Sequence, residues 1–273
     1  MISVVLSGRM GNQMFQLAFA YAASRRLGTT FTLRAPPDPV LLDSFEPSEL
    51  WPPWARGRKL AFAARHPRGR LVSVDNRRDD PESVLAGLRD GVRFTGFFQS
   101  AEYFAGYEDE VRRMFTLRDS VRAEFDRRFD GLGPYVAVHV RRRDYLETPW
   151  ALPASFYRRA LEAAGDVTGL PVVVVSDDPA SARRELGDLP GVRVESNEAI
   201  VDFQLLTNAE VVVLSASSFS WWGAWLNRRP SARVVAPLYW LGFARGVEEP
   251  CGALPPGWIR VAGEDRTRAS SAS

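Results

Sequence analysis

The sequence predicts an α/β protein whose second half is a doubly wound parallel sheet. From Pro134 onward, short apolar runs rich in valine alternate with segments of helical periodicity. Strands that are apolar at every position are typical of parallel sheets, because helices bury both of their faces. The first 28 residues give a second observation, since a strand, a glycine turn and a helix follow one another there. The sequence therefore predicts two α/β halves.

The elements of the first half follow from local patterns. Met14, Phe15, Leu17 and Tyr21 recur at helical spacing, and Gly28 after them predicts the end of the helix. The predicted elements are a strand at 1–6, a helix from about Asn12 to Leu27, proline-rich loops with short helices at 35–80, a strand at 93–98 and a mainly helical stretch at 101–129.

The second half is more regular, and it begins after a glycine- and proline-rich boundary at 131–134. Its predicted elements are strands at 134–140, 172–175, 192–194, 211–214 and 233–237, and helices near 153–164, 180–186, 198–209 and 219–227. We therefore predict an N-terminal α/β domain at 1–131, a C-terminal domain with a parallel sheet at 132–262 and a frayed polar tail at 263–273.

Composition excludes several classes of protein. The net charge of +2 over 273 residues argues against a nucleic-acid binder. The only lysine, Lys59, precedes a leucine and cannot complete a P-loop. Two histidines and one cysteine leave no Cys/His zinc site, and no Asp-x-Asp occurs, so we expect no metal. Arginine is so abundant that its count alone carries little functional weight.

The same features bear on where the protein works. A single cysteine excludes an internal disulfide and fits a reducing compartment. The apolar N-terminus has no basic flank, so we expect a first strand rather than a signal peptide. No run of about 18 apolar residues predicts a membrane span. We therefore expect a cytoplasmic protein without a transmembrane segment.

Polar side chains follow three strands of the second half, at residues 141–144, 176–178 and 215–218. The carboxyl ends of parallel strands meet at one edge of a sheet, where ligands bind. Arginines at this edge would neutralise a diphosphate, and serine hydroxyls and the amides of a helix N-terminus would donate to its oxygens. Aspartates would accept hydrogen bonds from a ribose or a base. The competing interpretations are a solvated turn for the arginines, a helix N-cap for the serines and turn chemistry for the aspartates before Pro179.

Three tryptophans crowd the predicted helix that follows the serines. We expect Trp221, Trp222 and Trp225 to face the core, with Gly223 allowing close approach to the sheet. Such anchoring would fix the preceding loop, as a preorganised phosphate site requires.

Taken together, these motifs resemble the α-1,2-fucosyltransferases of glycosyltransferase family 11. The resemblance is carried by four segments and by the acidic Asp202: Gly11-Asn12-Gln13-Met14-Phe15-Gln16, His139-Val140-Arg141-Arg142-Arg143-Asp144, Ser176-Asp177-Asp178, and Ser217-Ser218-Phe219-Ser220-Trp221-Trp222-Gly223-Ala224-Trp225-Leu226. It departs from the family at Ser7-Gly8-Arg9 and at Arg143, where smaller residues are usual.

The resemblance implies a GT-B-like fold of two Rossmann-like halves, with a nucleotide-sugar site in the cleft and the acceptor on the N-terminal side. It implies GDP-β-L-fucose as donor and inverting transfer to the 2-hydroxyl of a terminal galactose, with no cofactor or metal. The matching positions imply catalytic roles for Arg141, Asp144 and His139, and donor-binding roles for Arg142, Gly11, Asn12, Gln13, Ser176, Asp177, Asp178, Asp202, Ser217, Ser218, Phe219 and Ser220.

Several points stay open at this stage. The donor could be another GDP-sugar, or the chain could be a non-catalytic nucleotide- or glycan-binding module of the same fold. The general base could be Asp144 or His139, with Asn12 orienting the acceptor. Trp51 and Trp54 could stack on an acceptor sugar or serve only in packing. The expected acceptor is a lipid-linked or soluble glycan, which would bring the protein into peripheral contact with a membrane in the first case.

Overall fold

The computed structural model describes residues 1–35, 37–52 and 69–263. The chain divides into two compact units: the first comprises Met1–Glu124 and Pro250–Ala253, and the second comprises Phe125–Glu249 and the chain from Leu254 onward. The division falls before the boundary expected at 131–134, and Arg128, which precedes that boundary, pairs with Glu198 of the second unit at 3.1 Å. Of the predicted frayed tail, all but Gly263 lies outside the described residues.

The first unit is built on a four-stranded parallel sheet in the order β2-β1-β4-β3. Its strands are β1 (Ile2–Val5), β2 (Phe31–Arg34), β3 (Leu71–Ser73) and β4 (Arg93–Thr95), and its helices are α1 (Met10–Arg26), α2 (Pro39–Ser44), α3 (Pro81–Ala86), α4 (Glu108–Met114) and α5 (Asp119–Arg128), the last of which continues into the second unit. The predicted first strand and first helix are confirmed to within two residues.

The second unit contains a six-stranded parallel sheet in the order β7-β6-β5-β8-β9-β10. Its strands are β5 (Val136–Val140), β6 (Val172–Ser176), β7 (Val192–Glu195), β8 (Val211–Val213), β9 (Arg233–Pro237) and β10 (Ile259–Val261), and its helices are α6 (Ala154–Ala163), α7 (Pro179–Leu186), α8 (Ala199–Thr207) and α9 (Ser218–Trp225). The predicted alternation is confirmed. The sequence missed β10, because two half-buried apolar residues on either side of the exposed Arg260 give no apolar run.

Strand order in the second unit is that of a Rossmann fold. Numbered within the unit, the strands run 3-2-1-4-5-6, and the order reverses between β5 and β8. All five residues of β5 and all three of β8 are buried. Alternate valines of β5 join a core with Phe156 and Tyr157 of α6. Ligands of such sheets bind beside the strand ends at the reversal point, which directs attention to the segments after β5 and β8.

Within the described residues, no helix is both long enough and apolar enough to cross a bilayer.

Candidate donor-binding site

Arg141 is the first residue after β5, and its guanidinium is held on three sides. One Nη lies 2.6 Å from Asp144 Oδ1, and the other lies 3.1 Å from Asp177 Oδ2. The ring centroid of Tyr145 is 5.4 Å from Arg141 Cζ. The side chain is 14% exposed. Arg141 is therefore a nearly buried cation whose hydrogen-bond donors already face anionic oxygens, an arrangement in which phosphate oxygens can replace the carboxylates.

The structure gives Arg142 a different environment from the one predicted. Its side chain is 2% exposed, and its guanidinium pairs through Nε (2.9 Å) and Nη2 with both carboxylate oxygens of Glu185. Nη1 donates to the Arg141 carbonyl oxygen at 3.1 Å, and the Tyr157 ring lies below the guanidinium. Because these partners occupy its donors, the expected direct contact of Arg142 with phosphate does not fit this geometry. Arg142 instead braces the backbone of Arg141.

His139 is buried in β5, with Nδ1 2.6 Å from Ser215 Oγ. Burial, with a smaller contribution from Arg141, lowers the pKa of His139 to about 3. The imidazole is therefore neutral at pH 7 and a poor proton acceptor, which argues against the expected role as general base. His139 therefore links the end of β5 to the loop after β8.

The loop after β6 is largely engaged in local structure. Asp178 caps α7 by accepting from the Ser181 amide at 3.0 Å, and Ser176 Oγ accepts from the Asp178 amide at 3.0 Å. These contacts favour the turn interpretation over donor binding for Ser176 and Asp178. Asp177 differs, because its Oδ1 accepts from the Arg142 amide at 2.8 Å and its Oδ2 faces Arg141. Asp177 is thus part of the arginine cluster.

The loop after β8 leads directly into the N-terminus of α9. Ser217 is the N-cap residue, but its side chain makes no capping hydrogen bond, and no acidic residue occupies the first turn. The hydroxyl of Ser220 is used internally, since it donates to the carbonyl oxygens of Ser215 (3.2 Å) and Ser217 (3.1 Å). Ser217, Ser218 and the first amides of α9 therefore form the part of this motif suited to an anion.

Aromatic packing fixes α9 in place. Trp221 and Trp222 are fully buried, as the sequence predicted, whereas Trp225 is half-buried. A Cβ built on Gly223 would lie 2.6 Å from the Cβ of Leu206, so only glycine lets α9 approach α8 this closely. The Phe219 ring packs against Phe203 of α8, with ring centroids 5.5 Å apart. The start of α9 is therefore preorganised.

Asp202 lies in α8 and is almost completely buried. Burial raises the pKa of Asp202 to about 7, although a hydrogen bond from Asn197 Nδ2 to its Oδ1 (2.9 Å) opposes the shift. Because this pKa lies near 7, hydrogen bonds donated by a ligand would convert Asp202 to its charged form.

In the first unit, the motif at residues 11–16 mostly serves to hold the loop after β1. Gly11 is buried within α1. The side-chain amide of Gln13 donates through Nε2 to the Gly8 carbonyl oxygen at 3.0 Å. Its Oε1 accepts from the backbone amide of Asp38 at 2.7 Å. These contacts give Gln13 a structural role in place of the expected donor contact. Asn12 is half-buried and accepts from Gln99 Nε2 at 2.8 Å.

The two tryptophans considered for acceptor stacking have different outcomes. Trp51 is 3% exposed, and its Nε1 donates to the Met114 carbonyl oxygen at 2.9 Å, so the packing interpretation is confirmed for it. Trp54 lies outside the described residues. Among the described residues of this unit, Phe97 is an exposed aromatic side chain near a strand end: it lies two residues after β4 and is 41% exposed.

Comparison with known proteins identifies the family. A family model described as glycosyl transferase family 11 matches residues 85–259, more than half of the chain. The chain belongs to glycosyl transferase family 11. This family 11 chain is 26% identical to an α-1,2-colitosyltransferase of Escherichia coli, over 94% of this chain and 97% of the relative. It is 33% identical to the O-antigen biosynthesis glycosyltransferase WbnK of Escherichia coli over 56% of each chain. It is 26% identical to galactoside α-(1,2)-fucosyltransferase 2 of Gorilla gorilla gorilla, over 81% and 67%.

Solved structures show the same fold for this glycosyltransferase. NodZ α-1,6-fucosyltransferase soaked with GDP-fucose matches with a TM-score of 0.54 and 17% identity, over 82% of this chain and 92% of NodZ. POFUT1 in complex with GDP matches with a TM-score of 0.54 and 14% identity, over 86% of this chain and 97% of POFUT1. The predicted GT-B-like fold with two Rossmann-like halves is confirmed.

Sequence reasoning missed three residues of interest in this glycosyltransferase: Glu185, Tyr145 and Phe97. Glu185 lies 43 residues after its partner Arg142, and no local pattern connects the two. Tyr145 directly follows the arginine motif, so its adjacency was a signal that could have been used. Phe97 lay within a predicted strand, where an aromatic side chain is expected to be buried in the core.

Proposed function

We propose that this chain is an inverting α-1,2-fucosyltransferase that transfers L-fucose from GDP-β-L-fucose to the 2-hydroxyl of a terminal galactose. The observation that carries the proposal is the placement of Arg141 and the N-terminus of α9 on adjacent strands at the reversal point of the second sheet. A guanidinium and a helix N-terminus at that edge suit the diphosphate of a nucleotide sugar. The α-1,2 linkage in the names of the relatives supports the regiochemistry.

In the proposed reaction, the acceptor 2-hydroxyl oxygen attacks the anomeric carbon of fucose from the face opposite GDP. The bond from that carbon to the β-phosphate oxygen breaks, and its electron pair leaves with GDP. The added negative charge on the β-phosphate is stabilised by Arg141 and by the first amides of α9, which takes the place of a metal ion. Arg142 contributes by holding the Arg141 backbone through its carbonyl oxygen.

We propose Asp144 as the base that accepts the proton of the acceptor hydroxyl. The carboxylate is 56% exposed and is bound to the Arg141 guanidinium. When phosphate oxygens take over the guanidinium, the Asp144 carboxylate is released to accept a proton. The neutral, buried His139 is disfavoured for this role by its low pKa.

We propose that Asp202 recognises the guanine base. Guanine presents two neighbouring N–H donors on one edge, and a carboxylate accepts from both. Asp202 is already buried, which is why its pKa is raised to about 7. Binding the base would therefore remove little further water from the carboxyl group. Ionised Asp202 is the form that accepts, so GDP binding should strengthen as the pH rises through 7.

For the acceptor we propose Phe97 as the aromatic platform of the first unit. Its neighbours Gly96 and Phe98 both have positive φ (155° and 52°), and Phe98 anchors the turn by stacking on Phe19 with ring centroids 3.8 Å apart. A non-glycine residue in this conformation carries a strain of about 1–3 kcal/mol, and such strain is concentrated at functional sites. Aromatic faces bind the apolar face of a sugar ring, which fits a galactoside.

Near Phe97, an amide pair offers hydrogen-bonding groups for sugar hydroxyls. Gln99 Nε2 donates to Asn12 Oδ1, and within the described part of the chain the Asn12 amide hydrogens and Gln99 Oε1 have no other hydrogen bond. Gln16 ties the two loops together, because its Nε2 donates to both Ser7 Oγ and the Gly96 carbonyl oxygen. We propose that Asn12 orients the acceptor, with Gln99 as its partner.

A second donor is favoured by one comparison. The relative that aligns over 94% of this chain is named an α-1,2-colitosyltransferase. Colitosyl transfer from a GDP-sugar would use the same phosphate and base contacts and would differ only at the sugar ring.

A donor panel decides between these functions. Purified full-length protein is incubated with GDP-fucose, GDP-colitose or GDP-mannose and with a mixture of galactose-terminated acceptors, and the products are analysed by mass spectrometry and linkage analysis. We expect α-1,2-linked fucose on galactose. Preferential transfer of colitose supports the second donor, whereas GDP binding without transfer from any donor assigns a non-catalytic module and refutes both.

A further inference from the structure

Tyr145 connects the two segments that flank the reversal point of the second sheet. It ends the short 3₁₀ turn Arg143–Tyr145 after β5, and its hydroxyl donates to the Ala216 carbonyl oxygen at 3.0 Å. Ala216 belongs to the loop between β8 and α9, one residue before the N-cap Ser217. A single side chain thus spans from the arginine motif to the serine motif.

The same ring supports Arg141. The guanidinium carbon lies 5.4 Å from the Tyr145 ring centroid, and the attraction of a cation to the ring does not consume N–H donors. Those donors remain directed at Asp144 and Asp177. A ligand can therefore replace the two carboxylates without displacing the guanidinium from the ring.

Tyr145 is itself firmly held. Its amide donates to the Arg142 carbonyl oxygen at 2.6 Å, and the Trp150 ring packs edge-on against it with centroids 5.7 Å apart. Burial raises the pKa of Tyr145 to about 12, so the hydroxyl stays protonated and remains a donor at neutral pH. The hydrogen bond to Ala216 therefore holds the Tyr145 ring at a fixed distance from the loop before α9.

We propose that Tyr145 is a positioning residue that sets the separation between the Arg141 guanidinium and the N-terminus of α9, so that both act on the same phosphate. The inference rests on the proposed donor site and adds to it a residue that does not touch the substrate. During donor binding, phosphate oxygens displace Asp144 and Asp177 from the guanidinium. The ring contact and the hydroxyl link persist through this exchange, because neither uses the exchanging donors.

Tyr145→Phe tests this role, because it removes the link to Ala216 and keeps the ring beneath Arg141. We expect the dissociation constant for GDP, measured by calorimetry on the full-length protein, to rise about five-fold, because without the link GDP binding must itself order the start of α9. The KM for donor should rise in parallel, and the KM for acceptor should not change. Tyr107→Phe is the matched control, since Arg26 lies 5.3 Å over the Tyr107 ring in the first unit. We expect unchanged GDP affinity for this control.

A double-mutant cycle separates positioning from packing. In an Arg141→Lys background, the correct distance to a guanidinium no longer matters, and we expect Tyr145→Phe to weaken GDP binding less than two-fold. An equal loss in both backgrounds assigns Tyr145 to packing and overturns the inference, as does unchanged GDP affinity of Tyr145→Phe in the otherwise wild-type chain. Failure of the wild-type protein to bind GDP would instead refute the proposed function.

Discussion

Three consecutive arginines of this chain have three different environments. Arg141 is nearly buried and faces two carboxylates, Arg142 is buried in a pair with Glu185, and Arg143 is exposed. Charge alone is therefore no guide to their roles. Direct contact with phosphate suits Arg141, support of the backbone suits Arg142, and Arg143 fits a solvated turn.

The first prediction contrasts Arg141 with Arg143. Arg141→Ala should lower kcat for transfer by a factor on the order of 10²–10³, because a preorganised cation at the leaving phosphate is lost. Arg143→Ala removes the same side chain two residues away and should retain full activity. Initial rates at saturating donor and acceptor check both, and circular dichroism confirms folding. Activity of Arg141→Ala close to wild type would refute the assignment.

The second prediction concerns the Arg142–Glu185 pair. Glu185→Ala leaves the buried Arg142 cation without its partner, and we expect the free energy of unfolding to fall by about 3 kcal/mol. Asp188→Ala breaks the more exposed pair with Arg158 (2.7 Å) and should lower the free energy of unfolding much less. Urea unfolding measures both variants. A similar cost for the two would show that the Arg142 pair is no more important than a surface pair.

At the scale of elements, the site depends on how closely α9 lies against α8. The predicted core-facing tryptophans hold one side of α9, and Gly223 permits the contact with Leu206. The position of the α9 N-terminus is thus decided by packing several residues away from the serines that would bind phosphate.

The third prediction tests this packing. Gly223→Ala places a methyl group within 2.6 Å of Leu206 Cβ, and α9 must shift. We expect a loss of about 1–3 kcal/mol in unfolding free energy together with weaker GDP binding. Gly257→Ala is the control, because a Cβ there meets no atom within 4 Å. Unimpaired GDP affinity in Gly223→Ala would mean that the start of α9 does not contribute to the nucleotide site.

The fourth prediction follows from the raised pKa of Asp202 in α8. Between about pH 4 and pH 7 the unfolded chain ionises this carboxyl while the folded chain keeps it protonated, so its contribution to stability is lost as the pH rises. Asp202→Asn removes this loss and should raise the melting midpoint relative to wild type more at about pH 8 than at about pH 5. The exposed Asp166→Asn should show no such difference. A pH-independent effect of Asp202→Asn would contradict the raised pKa.

At the scale of the whole molecule, the proposed mechanism takes the positive charge for the leaving group from the protein. Arg141 and the α9 N-terminus are both in the second unit, and among the described residues no group of three or more His, Cys, Asp or Glu side chains could hold a metal ion. Independence from metal remains a prediction from the sequence, and it can be tested directly.

The fifth prediction is that transfer continues unchanged after treatment with EDTA. The physical reason is that, in the proposed mechanism, Arg141 and the amides of α9 neutralise the charge that a divalent cation would otherwise neutralise. Rates are compared before and after chelation, with added Mg²⁺ or Mn²⁺ as the control. Activity that is lost on chelation and restored by a metal would overturn this view.

The sequence by itself determined the α/β class, the parallel second sheet and the edge at which its polar segments lie. These follow from short-range regularities, because apolar runs and helical spacing report burial of the local chain. It also determined the family resemblance, which rests on contiguous motifs.

Only the tertiary structure decided which side chains of those motifs are free to meet a ligand. Arg142 is withdrawn by Glu185, 43 residues away, and Gln13 by the Asp38 amide, 25 residues away. Tyr145 reaches Ala216, 71 residues away, because β5 and β8 are neighbours in the sheet. Partners of buried polar groups are set by strand order and packing, and a local sequence pattern contains neither.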